Sequence, residues 1–174
     1  MKGEKLPLFF VGKSKKPHCF KNIALDKQDF YYGSNKAGWM TTKLFRDWLK
    51  KINTLMSKEE RKILLLMDNS PTHKILKFKE DYSNIKCVYI PPNTSALIQP
   101  IDMGIIKCIK TAYREKLGTW ILANEEKGNL ELKKIKILDT IIWVNQAWKN
   151  LQTTTIVNCW KRSGLYKNVV SLKI

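Results

Sequence analysis

Apolar positions along this chain alternate between short unbroken runs and helical stripes, a pattern that predicts a mixed α/β domain. Leu6 to Val11 is an apolar run closed by Gly12, and Phe30-Tyr31-Tyr32 is a weaker one ended by Gly33-Ser34-Asn35. Both read as strands. Leu44, Phe45, Trp48, Leu49 and Ile52 then fall at helical spacing, with Lys43, Arg46, Asp47 and Lys50 on the opposite face. This predicts a helix capped by Thr41 or Thr42, its apolar stripe directed into the core. A charged connection, Ser57 to Arg61, leads to Ile63-Leu64-Leu65-Leu66-Met67, the unbroken pattern of a strand covered on both faces. Asp68-Asn69-Ser70-Pro71 stops it. Ile85 to Ile90 repeats the pattern and stops at Pro91-Pro92. Strand, connection, strand, with a helix before and after, predicts a sheet with a parallel centre.

The second half reads as helices. Met103 to about Ala123 is the longest, with Ile105, Ile106, Ile109, Ala112, Tyr113, Leu117 and Trp120 as its buried stripe. Lys107, Lys110, Arg114 and Lys116 give it a basic outer surface. Ile137, Ile141, Val144, Trp148 and Leu151 predict a further helix. A last short one begins near Thr153–Thr155, carries Ile156, Val157 and Trp160, and stops at Gly164. No repeat or low-complexity linker divides the chain. It reads as a single domain, 1–174, with a core portion at 1–125 and a C-terminal helical portion at 126–174.

Composition narrows the partners. A chain of 174 residues with 44% hydrophobic residues and six Trp can bury a core. Its formal charge of +17, carried mainly by Lys, favours a polyanion such as DNA or RNA over a merely solvated Lys coat. Cys19, Cys87, Cys108 and Cys159 are scattered without a CxxC, which argues against a zinc site. Cys87, Cys108 and Cys159 lie in apolar segments, as expected of buried, reduced thiols in the nucleus or cytosol. No apolar run approaches the ~20 residues of a membrane span, and the apolar part of the first residues is too short for a signal peptide. Gly12-Lys13-Ser14-Lys15-Lys16-Pro17 is a basic turn, either an ordinary hairpin or loop, or a phosphate contact. It is not a nucleotide-binding P-loop, because Pro7 stands where that motif needs glycine.

Two acids carry the candidate chemistry. Asp68 follows an apolar strand, and ligands of α/β sheets collect beyond strand carboxyl ends. Alternatively, Asp68-Asn69-Ser70-Pro71 is turn chemistry in which Asp and Asn bond their own backbone. Asp102 precedes a helix and could simply be its N-cap. As a pair, a strand-end Asp and a helix-start Asp could hold Mg²⁺, which prefers carboxylate oxygens, for two-metal phosphodiester chemistry. Asn93, Thr94, Ser95 and Gln99 could line the approach or only satisfy a proline-rich loop. His73 could assist or touch a phosphate, but a lone His after a turn is more often a surface or packing residue.

The blocks around these acids resemble the DDE superfamily endonuclease domain of pogo- and Tigger-type transposases and the centromere-binding proteins domesticated from them. They are GKSKKPHCFKN (Gly12–Asn22), NKAGWMTTKLFRDWL (Asn35–Leu49), ILLLMDNSPTH (Ile63–His73), VYIPPNTSALIQPIDMGIIKCIKTAYR (Val88–Arg114) and AWKNLQTTTIVNCWKRSGL (Ala147–Leu165). The resemblance implies an RNase H-like catalytic core followed by C-terminal helices, with Asp68 and Asp102 as the second and third of three metal-binding acids. It implies Mg²⁺ or Mn²⁺, DNA as partner, metal-dependent strand cleavage and transfer, and the nucleus. No small-molecule substrate or membrane is implied, and an oligomer is compatible with it. Lys13, Lys15, Lys16, Lys107, Lys110 and Arg114 are the expected contacts to DNA phosphates.

The family's first acid lies on an early strand in a DET-like motif that has no counterpart here, and Asp26 and Asp29 fall in the wrong place to replace it. The helix-turn-helix domains of the family have no counterpart either. The core is therefore expected to be partial, lacking the first strands, and inactive alone. The alternative is a catalytically inactive DNA-binding or protein-interaction module derived from a transposase.

Overall fold

The computed structural model describes residues 2–73, 82–125 and 135–165. Its three largest fully buried side chains, Leu49, Ile52 and Met56, all belong to helix α1 (Thr42–Lys58). Thr41, rather than Thr42, caps the helix: its hydroxyl accepts the Leu44 N–H at 3.3 Å. Phe45, Leu49, Ile52 and Met56 recur at helical spacing and bury one stripe, while Lys43 and Lys50 remain exposed. The helix runs further than the sequence predicts, through Ser57 and Lys58. It closes in a left-handed turn at Glu60 (φ 53°), with Arg61 N–H bonding Met56 O at 2.9 Å and Glu60 N–H bonding Ser57 O at 3.2 Å.

That stripe packs on a parallel pair, β3 (Ile63–Met67) and β4 (Ile85–Tyr89), in the register Ile63↔Ile85 to Met67↔Tyr89. Side chains alternate along a strand. Ile63, Leu65 and Met67 of β3, with Ile85, Cys87 and Tyr89 of β4, accordingly join the α1 core. Leu64 and Leu66 turn the other way, toward a cavity of about 290 Å³ that they share with Ile156 and Trp160. β3 is therefore only half-covered on this second face, and Met67 alone of its residues is buried.

β1 (Phe9–Gly12) and β2 (Tyr31–Ser34) form a second parallel pair, so the single predicted sheet is present as two two-stranded sheets. Because β1 and β2 are parallel, the basic turn after Gly12 cannot be a hairpin. The chain instead crosses over through 3₁₀ turns at His18–Phe20 and Leu25–Lys27. Phe20 and Phe30 from this crossover pack with Ile141 of helix α4 (Ile137–Asn150).

After β4 the chain forms a short helix α2 (Ser95–Ile98), a π turn (Ile101–Ile105) and helix α3 (Ile106–Glu125). The predicted long helix is thus interrupted at its start. Gly104 has φ 146° and ψ −20°, a backbone that side-chain-bearing residues rarely adopt. The predicted buried stripe of α3 is also corrected. Ile105 in the π turn is buried, but α3 buries no residue fully; Ile106, Ile109, Tyr113, Leu117 and Trp120 are half-buried. Cys108 is likewise exposed rather than buried, while Cys159 is buried. Cys87 is half-buried, and burial pushes its thiol pKa up.

The termini of the described chain are tied together. The Lys5 ammonium donates to the carbonyls of Trp148 (3.1 Å), Lys149 (2.5 Å) and Leu151 (2.8 Å), which closes the C-terminal end of α4. Trp148 Nε1–H donates back to Leu6 O at 2.9 Å. Helix α5 (Thr153–Arg162) follows, and Gly164 stops it as predicted, at φ 71°. The boundary expected between 125 and 126 falls at the edge of the described residues.

Replacing Leu49, which is 0% exposed, by Ala is expected to lower stability by about 3 kcal/mol in urea unfolding. Lys50→Ala on the same helix should change it by no more than ~0.5 kcal/mol.

Candidate functional site

β3 and β4 end side by side; Asp68 follows β3 directly, while Asp102 lies further along the chain, in the π turn beyond α2. Asp68 leaves the end of β3, where Asn69 Nδ2 donates to Ile90 O at 2.7 Å and locks the two strand ends together. Asp68 Oδ1 accepts the Ser70 N–H at 3.1 Å, so the turn chemistry expected of this segment is real. The same oxygen lies 2.6 Å from His73 Nδ1. A 3₁₀ turn at Pro71–His73 brings the imidazole back to the carboxylate. The ring rests on Phe45 at a centroid distance of 4.6 Å, and Tyr89 O–H donates to the His73 carbonyl. His73 is therefore neither a free surface residue nor simple packing. It fixes the orientation of Asp68, whose side chain keeps 37% exposure.

Asp102 occupies a different setting. It lies inside the π turn, exposed, and its own N–H donates to Gln99 O at 3.0 Å. Pro100 holds the N-cap position, so the N-cap role considered for Asp102 is not realised. Met67 and Ile101, the residues immediately before the two acids, line the same cavity together with Gln99. Of the other approach residues, Thr94 satisfies its own loop by donating to Pro91 O at 2.6 Å.

Among the described residues, no group of three or more His, Cys, Asp or Glu side chains comes close enough to hold an ion, whereas Mg²⁺, which keeps several waters, can be held through one or two carboxylates. One Asp68 oxygen is already engaged by His73 and Ser70. Asp29, excluded as a substitute acid on sequence position, plays a structural part, accepting from Asn145 Nδ2 at 2.7 Å and pairing with Lys149.

Every predicted phosphate contact is exposed. Lys13, Lys15 and Lys16 project from the loop after β1, and Lys107, Lys110 and Arg114 lie along α3. The loop is braced from below. Tyr32 O–H donates to Ser14 O at 2.8 Å, and its ring meets Phe20 edge-on at 4.8 Å. Burial, with the nearby Cys19 thiol adding to it, pushes the Tyr32 hydroxyl pKa up and keeps it a donor. Gly12 is required by this brace, since a Cβ there would collide with the Tyr32 hydroxyl oxygen. Among the described residues, no helix is long and apolar enough to cross a membrane.

Comparison with known proteins bears directly on this arrangement. The family described as "DDE superfamily endonuclease" matches residues 1–160. The chain belongs to that family. It is 28% identical to Tigger transposable element-derived protein 4 of Mus musculus, covering 92% of this chain and 30% of that protein. It is 32% identical to Tigger transposable element-derived protein 7 of Homo sapiens, covering 94% and 33%. CENP-B homolog protein 2 of Schizosaccharomyces pombe is 29% identical, covering 95% and 33%. The chain thus spans about a third of the length of these relatives. No solved structure gives a significant match.

Sequence reasoning undervalued His73 because its partner is reached through the turn rather than along a helix or strand. Asp followed five positions later by His, across Ser-Pro, was the available signal. His73→Ala is expected to cost about 1–2 kcal/mol by urea unfolding, through loss of the bond to a carboxylate and of the Phe45 contact. Asp68→Asn should cost less, since an amide oxygen still accepts both bonds.

Proposed function

We propose that this chain is a DNA-binding DDE endonuclease domain of transposase descent, in which Asp68 and Asp102 are the second and third acids of a metal site. The observation that carries the reading is the shared strand end. Parallel β3 and β4 deliver Asp68 and the Pro91–Ile105 segment to one end of the sheet, and the neighbours of both acids line one cavity. The relatives support the nucleus and DNA as setting and partner: two are named as transposable-element derived and one as a CENP-B homologue.

The RNase H-like reading finds support at the open side of β3. Ile63 N–H bonds Asn84 O and Ile90 N–H bonds Met67 O, both at 2.9 Å, so Ile63, Leu65 and Met67 direct their backbone groups to β4. Leu64 and Leu66 consequently point theirs to the other edge, where no strand of the described residues pairs. The family resemblance puts the first strand, with the first acid, at the centre of the sheet, and an unpaired edge of β3 is compatible with that reading. Strand cleavage and transfer belong to a domain with that acid.

Two outcomes test this reading. Calorimetric titration of the isolated chain with Mn²⁺ should give weak binding that Asp68→Asn weakens further; tight stoichiometric binding abolished by that substitution would show a complete site instead. Duplex DNA should bind with little sequence preference and with an affinity that falls steeply as salt rises. Salt-independent or strongly sequence-selective binding would contradict the proposal.

A further inference from the structure

The basic loop after β1 does not stand alone. Ser14, Lys16 and His18 share an open trough of about 590 Å³ with Lys136, the residue that precedes α4. Two of its walls come from parts of the sequence more than a hundred residues apart, and the hydrophobic contact of Phe20 with Ile141 and Leu138 holds those walls together. On the loop side, Pro17 is buried and accepts the Phe20 N–H at 2.9 Å, while Tyr32 fixes Ser14. The lysines therefore project from a braced backbone. On the helix side, Asp139 accepts the Lys136 N–H at 3.2 Å, so the nearby carboxylate is committed to the helix start. Among the described residues, no acidic side chain lines the trough.

Resting on the DNA-binding reading above, we propose that this trough is a seat for the nucleic-acid backbone, with Lys16 and Lys136 gripping successive phosphates from opposite walls. Lys13 and Lys15 flank it on the same loop. Tyr32 acts as a positioning residue: its bond to Ser14 holds the loop in the binding shape before the phosphates arrive, which spares the ordering cost of binding.

Fluorescence anisotropy of a labelled DNA duplex, read across a salt series on the full chain, tests this. Neutralised phosphates contribute ~0.9 each to the slope of log affinity against log salt. The double substitution Lys16→Ala/Lys136→Ala should weaken binding and make that slope shallower by about 2. Lys43→Ala/Lys50→Ala removes the same charge from the exposed face of α1 and should leave the slope nearly unchanged. Tyr32→Phe should lower affinity with the slope intact, because it removes order rather than a phosphate contact. Thermal melts confirm that each variant folds.

Equal slope changes in the two lysine pairs would reveal only a diffuse basic coat and overturn the proposal. An unchanged affinity for Tyr32→Phe would overturn the positioning role. If wild type binds DNA but only Lys107, Lys110 and Arg114 matter, the trough is wrong while the DNA-binding reading stands. If wild type binds no DNA, both fall.

Discussion

The seating of the α1 stripe on the β3–β4 pair is the contact on which the rest depends. Phe45, Leu49, Ile52 and Met56 bury themselves against the inward residues of both strands. Fully burying an aliphatic or aromatic side chain of this size contributes about 1.5–3 kcal/mol, so this one layer outweighs any polar contact in the molecule. A two-stranded sheet is marginal by itself, so the pair relies on α1, and because its strands are parallel both end at the same side. Asp68 emerges there because Met67 is its last buried anchor. Phe45 extends the same contact to the site by supporting the His73 ring.

A second set of contacts makes the helical half continuous with the strands. Lys5 crowns the end of α4 with three hydrogen bonds, Trp148 answers through Leu6, and Asp29 reaches Asn145 and Lys149. These bonds join residues more than a hundred positions apart. They place α5 beside the outer face of β3, where Ile156 and Trp160 wall the cavity that Leu64 and Leu66 enter. The same long-range closure carries Lys136 to the basic loop.

Much of this was legible in residue patterns because periodicity reports burial directly. The α1 stripe, the two apolar runs around Asp68, the start of α5 and its stop at Gly164 all follow from it. Where a different force decided, the pattern misled. The start of α3 is broken by the backbone of Gly104, although the apolar spacing runs straight through it. Cys108 sits in an apolar segment yet on the outer side of its helix. The structural part played by Asp29 and the meeting of Lys16 and Lys136 in one trough depend on tertiary closure, which no local window contains. At the site, Asp68 realises its turn reading while keeping part of its carboxylate exposed. It is a turn-forming residue through Ser70, and the same bonds that make it so, together with His73, orient it outward.

The central claim is that Asp68 and Asp102 act as one pair at the shared strand end. Paramagnetic broadening of backbone amide signals by trace Mn²⁺ tests it directly, because the effect falls steeply with distance from the ion. Amides around Asp68 and around Asp102 are expected to broaden first and together, and Asp68→Asn is expected to relieve both. Broadening that centres instead on Asp26, Asp29 or Asp139, or that touches one acid without the other, would contradict it.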